Sequence, residues 1–408
     1  MKKHVELLSP AGDMEKLKMA ITYGADAVYL SGKQFGMRAG TANFSNDDLL
    51  EAVTFCHAHN KKVYVTCNTI PTNSEVSLLP KHLELLDSLK VDGVIVADLG
   101  VIELCKKYCP SIEIHASTQV GVMNFETANA LYNLGVKRIV LARETSLEDI
   151  ADIRKHIPSD MQIEAFCHGS MCISFSGRCL LSTYLTGRDA NRGMCAQPCR
   201  WKYHLVEETR PGQYFDITED KGTFILNSKD LCTISILPQL IEAGVDSIKI
   251  EGRTKSSYYV ASVTAAYRHA IDAYYEDREP DPCWFEEVDM ISHRPYSTGF
   301  FLGDAQQYTP SSAYITSCDV VGIVSECDSE GNATIIQRNK FYPNDDVNIL
   351  TPDGKIIKCN IGILKDDTGH EVESANKAQM ILHVKLPQYI PADSFIRKLR
   401  VDPSVKNS

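Results

Sequence analysis

The stretch MEKLKMAITYGADAVYL (residues 14–30) carries the repeating pattern from which the architecture can be read. Its first ten residues place apolar and charged side chains at helical spacing, a glycine-containing turn follows, and AVYL is an apolar run of strand length. The second half of this unit recurs as VDGVIVAD (91–98), GVKRIVLA (135–142) and GVDSIKIEGR (244–253). Runs of this kind, separated by amphipathic stretches of ten or more residues, predict strand–helix units and a parallel sheet. Eight can be read, at 5–9, 27–32, 63–68, 94–98, 113–117, 139–142, 163–166 and 247–251. That number predicts an α/β fold of the TIM-type (β/α)8 barrel. A doubly wound sheet is the alternative, but no G-x-G-x-x-G follows any of the runs.

A barrel of this type carries its functional residues at the C-terminal ends of its strands. Those ends supply Arg38, Asn43, Asn68, Gln119, Arg143, His168, Glu251 and Arg253. We assign His168, Glu251 and Arg253 to catalysis, and Arg38, Asn43, Asn68, Gln119 and Arg143 to substrate binding. After the seventh run the strand–helix rhythm stops, leaving a Cys-rich insertion at 167–230 inside a barrel domain at 1–277. Residues 278–318 read as a linker with a short helical and aromatic segment. From 319 to 408 short strands separated by turns such as DSEGN and TPDGK predict a small β-barrel domain.

The insertion concentrates thiols. Of 14 cysteines in 408 residues, five lie between Cys167 and Cys199. No apolar run approaches the eighteen or so residues of a membrane span, and the N-terminal residues do not read as a secretory signal. A cytoplasmic protein with no membrane partner is therefore expected. In that reducing compartment, clustered thiols serve metal binding or catalysis, not disulfides. Cys172, Cys179, Cys195 and Cys199 are spaced C-x6-C-x15-C-x3-C. Structural zinc usually shows two tight pairs, whereas irregular spacing suits an iron–sulfur cluster. Cys232 is an alternative ligand, and Cys167 an alternative nucleophile.

A net charge of −11 argues against binding nucleic acid by bulk charge. The cysteine segment itself is locally basic, with Arg178, Arg188, Arg192, Arg200 and Lys202 against Asp189 alone. Hydrolase motifs are missing: there is no H-E-x-x-H and no G-x-S-x-G.

ELLSPAGDMEKLKMAITYGADAVYLSGKQFGMRAGTANFS (6–45), EAFCHGSMCISFSGRCLLSTYLTGRDANRGMCAQPCRW (164–201) and IKIEGRTKSSYYV (248–260) resemble the collagenase-like peptidase family U-32. Within that family the chain is most similar to proteins that hydroxylate tRNA. The resemblance implies a [4Fe–4S] cluster on Cys172, Cys179, Cys195 and Cys199, and oxygen-independent hydroxylation of wobble uridine to 5-hydroxyuridine. Prephenate, or a similar small dianion, is implied as a required metabolite, and tRNA as partner. Arg188, Arg192, Arg200 and Lys202 are then the expected RNA contacts. The resemblance also allows for a paired U-32 family subunit. The family label itself implies the alternatives: a collagenase-like peptidase, or hydroxylation of another RNA base.

Overall fold

The computed structural model describes residues 4–37, 43–201, 204–206, 214–216, 228–303, 305, 308 and 313–400. Within these, β1 (Glu6–Pro10), β2 (Ala27–Leu30), β3 (Lys62–Cys67), β4 (Gly93–Val96), β5 (Glu113–Ala116), β6 (Arg138–Val140) and β7 (Gln162–Ser170) pair in parallel, each with the next. The eighth strand, Ser247–Ile250, pairs in parallel with both β1 and β7 and closes the barrel. The eight expected strands and the TIM-type closure are thus present. Helix starts follow local chemistry. Ser45 and Asp48 form the expected capping box before the helix Asn46–Ala58, with Ser45 N donating to Asp48 Oδ2 at 2.8 Å.

Strand geometry sends alternate side chains into the barrel. The inward set is charged as well as apolar. Arg138, 2% exposed, donates to Glu6 at 2.6 Å and to Glu164 at 3.0 Å. Lys249 Nζ lies 2.8 Å from the other oxygen of Glu164. Tyr64 Oη and Ser247 Oγ donate to Glu6 at 2.7 and 2.8 Å. Two cations thus meet two carboxylates, and the buried charge balances.

β7 is longer than expected and irregular. Lys249 pairs with Phe166 but Ile250 pairs with His168, so Cys167 is an extra residue, a β-bulge. Beyond it, β7 pairs antiparallel with the short strand Asp230–Cys232. Cys232 is thereby fixed opposite His168 in the sheet.

The compact unit holding the barrel takes in Ala25–Lys255 and His293–Tyr314. A second unit comprises Ser256–Ser292 and the chain from Ile315, with Thr22–Gly24. It contains the helices Ser257–Tyr275 and Cys283–Met290 and a seven-stranded antiparallel sheet. Its core includes Val324, Ile335, Phe341, Ile349, Leu382 and Ile396. Tyr258 on the long helix accepts from Arg397 at 2.6 Å, and Arg397 forms a two-pronged ion pair with Glu287. Among the described residues no helix is long and apolar enough to cross a membrane.

Burial alone would raise the Glu6 carboxyl, but Arg138, Tyr64 and Ser247 outweigh it and hold the pKa at about 2. A depressed carboxylate stabilises the fold above its ordinary value, here 4.5, and loses that contribution as pH falls toward about 2. Arg138→Gln leaves Glu6 without its charge partner, costing about 3–5 kcal/mol at neutral pH. The expected signature is a lowered urea midpoint whose deficit against the wild type narrows below about pH 4.5. A deficit independent of pH across this range would argue against the pairing as its source.

Candidate functional site

A cavity of about 290 Å³ opens at the C-terminal ends of the barrel strands. Tyr29, Thr66, Ile95, Val140, Phe166 and Lys249, all from the inward strand positions, form its floor. The loops after the strands add Asn68, Gln119, Arg143, Glu251 and Arg253, and the Cys-rich insertion adds Cys172, Cys179, Cys195 and Cys199. Among the described residues, five cationic side chains line it (Arg143, Arg200, Lys249, Arg253 and Lys255) against the one carboxylate of Glu251. The described lining of the cavity is therefore more cationic than the acidic chain as a whole.

Two glycines allow the close approaches that set the cationic wall. A Cβ on Gly12 would lie 2.2 Å from the Arg253 carbonyl oxygen. Gly169 has φ +112°, and a Cβ there would lie 2.4 Å from the Glu251 carbonyl oxygen. Glu251 N donates to His168 O at 2.8 Å. The Arg143 guanidinium sits 4.1 Å from the Phe166 ring centroid and reaches Ser170 O at 3.3 Å and Glu251 Oε2 at 3.5 Å. Arg253 is buried and donates to Thr66 Oγ1 at 3.2 Å. Asn68 accepts from Met37 N at 3.1 Å, fixing the loop after β2.

The four thiols share this cavity but differ in exposure: Cys195 is exposed and the other three are half-buried. Backbone N–H groups donate to two of the sulfurs, Leu181 N to Cys179 at 3.4 Å and Gln197 N to Cys195 at 3.3 Å. Burial above all raises the Cys199 thiol, with Arg200 opposing and Cys172, Cys195 and Cys179 adding to the rise. Among the described residues no three His, Cys, Asp or Glu are grouped to hold a single metal ion. The insertion is tied down by Ser176, whose N and Oγ both donate to Glu144 at 2.8 Å, and by Asn191, which bonds the backbone of Cys179 on both sides.

His168, expected as catalytic, is not part of this cavity. The bulge at Cys167 breaks the alternation of β7, and His168 lies 1% exposed with Nε2 3.4 Å from Tyr296 Oη. Burial, with His293 and Lys255, pushes its pKa down to about 3, so the ring is neutral. Asn43 and Cys232 do not line the cavity either. Cys167 is buried, its thiol directed to Lys249 O at 3.4 Å. The basic segment does not form one surface. Arg188 is exposed, Arg192 is paired with Glu75, and Arg200 turns into the cavity with Nη2 3.0 Å from Met171 O. Arg38 and Lys202 lie outside the described residues. Lys249, Lys255 and Thr66 are cavity residues that the strand-end rule missed. A lysine between isoleucines in SIKI (247–250) is the signal that could have found the first.

Residues 12–310 match the model of Peptidase family U32, and residues 316–397 match its C-terminal domain. The chain belongs to peptidase family U32. Its relatives in that family divide by name. It is 39% identical to "tRNA hydroxylation protein P1" of Bacillus subtilis (strain 168), over 97% of this chain and 95% of that protein. It is 42% identical to the "23S rRNA 5-hydroxycytidine C2501 synthase" of Escherichia coli (strain K12), over 67% of this chain and 40% of that one. It is 32% identical to the "Collagenase" of Porphyromonas gingivalis (strain ATCC BAA-308 / W83), over 73% of each.

Thiol exposure gives this U32 chain a testable chemical fingerprint. Burial pushes the thiols of Cys56 and Cys67 up to about 12, so neither supplies thiolate at pH 8. In metal-free protein, iodoacetamide should modify exposed Cys195 first and leave Cys56 and Cys67 unmodified until the fold is opened. Peptide mass spectrometry over a time course reads this order; early labelling of Cys56 would contradict the packing.

Proposed function

We propose that this U32 chain is an RNA-modifying enzyme that hydroxylates wobble uridine of tRNA to 5-hydroxyuridine. A [4Fe–4S] cluster is held by Cys172, Cys179, Cys195 and Cys199, and a small dianion of the prephenate kind is the co-substrate. The observation that carries this proposal is one cavity where four thiols meet five cationic side chains. The names of the Bacillus subtilis and Escherichia coli relatives both describe RNA hydroxylation, which favours RNA over peptide as substrate. Among the described residues no histidine lines the cavity, so a cysteine or serine nucleophile there has no imidazole base. This disfavours the peptidase alternative.

The donor set fits the cluster. Four sulfurs line one cavity and N–H groups donate to two of them, which supports reading the set as ligands of an iron–sulfur cluster. When bound, such a cluster supplies one-electron redox chemistry next to the anion site. The chain's own side chains bind and orient. Arg143 and Arg253 approach the cavity from different loops, and guanidinium forks recognise carboxylates in two-pronged fashion. Glu251 and Phe166 hold Arg143 in place. Lys249, anchored by Glu164, places its ammonium at the floor.

Protein purified without oxygen should be brown, with about four irons per chain. Cys172→Ala, Cys179→Ala, Cys195→Ala and Cys199→Ala should each lose most iron, while Cys56→Ala and Cys359→Ala should keep it. Stoichiometric zinc without sulfide would replace the cluster with a structural metal site. A deletion strain should lack 5-hydroxyuridine derivatives in its tRNA by nucleoside mass spectrometry. Arg253→Lys, which keeps charge but not the fork, should restore them about tenfold less well than the wild-type gene. Full restoration by Arg253→Lys would remove Arg253 from substrate binding.

A further inference from the structure

Gln119 stands out within the cavity. It sits in the single turn Thr118–Val120 after β5, is 3% exposed, and lines the cavity. Its side-chain oxygen is buried without a hydrogen-bond partner among the described residues. A buried amide oxygen left unpaired costs roughly 1–3 kcal/mol, so such a group inside a binding cavity points to a ligand that supplies a donor. The cationic side chains around the cavity can supply donors to an anion, but an oxygen acceptor cannot bind one. Gln119 therefore serves a different part of the bound material than Arg143 and Arg253 do.

We propose that Gln119 reads the edge of the target base, its oxygen accepting the N3–H of uracil. This inference rests on the RNA hydroxylation function proposed above. An amide side chain carries an acceptor and a donor side by side, and uracil carries N3–H beside the O4 carbonyl, so one side chain can satisfy both groups. Enzymes acting on a base take it out of the stack and read this edge with side chains in a closed pocket. The position suits such a reader. Its turn is fixed by Ser117, whose Oγ accepts from Gln119 N at 3.4 Å, and by Gly121 in the left-handed region at φ +80°. The competing donor is a hydroxyl of the small dianion, and the experiment separates the two.

The probes are three fluorescent anticodon stem-loop RNAs with uridine, 3-methyluridine or cytidine at the wobble position. Each is titrated by anisotropy against wild-type protein purified anaerobically, Gln119→Ala and Gln119→Met. Methylation at N3 removes the donor that Gln119 accepts. The wild type should bind the uridine loop about ten- to a hundredfold more tightly than the 3-methyluridine loop, the range expected for one well-placed edge contact. Both variants should bind these two loops within about threefold of each other, with thermal melting midpoints close to wild type. Gln119→Met keeps the side-chain volume, so retained selectivity in it overturns the assignment even if Gln119→Ala is unstable. Wild-type protein that binds the uridine and 3-methyluridine loops alike also overturns it, leaving RNA as substrate. Retained loop selectivity together with weakened prephenate binding assigns the oxygen to the dianion instead. Failure of the wild type to bind any of the loops overturns the RNA function itself.

Discussion

The buried chain of charges Glu6–Arg138–Glu164–Lys249 is the constraint around which the barrel is organised. Barrels of this type are usually filled by layers of branched apolar side chains. Here one layer is ionic, and its members come from four different strands. Isolated charges could not remain there, because desolvation costs several kcal/mol per ion. The two cations and two carboxylates hold one another, with Tyr64, Ser247 and Gln162 filling remaining hydrogen bonds. Strand register is thereby coupled to charge balance: a one-residue slip of β6 or β7 would turn a charge outward and strand its partner.

Lys249 joins this layer to the cavity above it. Its ammonium is bonded to Glu164, lies 4.4 Å from the Tyr29 ring centroid, and is part of the cavity floor. Arg143 is held in the same manner, by Phe166 and Glu251. Both cations are positioned before any ligand arrives, so less ordering is needed on binding. Concentrating positive side chains in one cleft while the whole chain carries −11 separates two roles. Bulk charge opposes non-specific attraction to polyanions, while the cleft focuses a local field of the opposite sign.

Among the described residues, the insertion lines the cavity with four thiols and no histidine. The bulge in β7 that removes His168 from the interior also brings the chain to Ser170, Met171 and Cys172 at the cavity wall. Histidine-assisted hydrolysis and cluster ligation need different neighbours, and four thiols are the kind that the proposed function calls for.

Local pattern alone accounts for the eight strands, their parallel order and the position of the insertion. These follow from local period and turn chemistry, as MEKLKMAITYGADAVYL illustrates, and closure follows from the count. It also picked out Asn68, Gln119, Arg143, Glu251 and Arg253, because strand ends converge in any such barrel. The shared location of the four cysteines was legible from their density alone. The rest depended on contacts between residues far apart in the chain. A single extra residue at Cys167 reversed the facing of His168, and no local pattern announces a bulge. Lys249 and Arg138 look misplaced in apolar strands until Glu6 and Glu164, distant in sequence, are beside them. Whether an arginine of the basic segment meets solvent, Glu75 or the cavity depends on how the loop folds back. Pairing between distant residues has no signature in the spacing of either partner, and that is the physical reason it had to be seen.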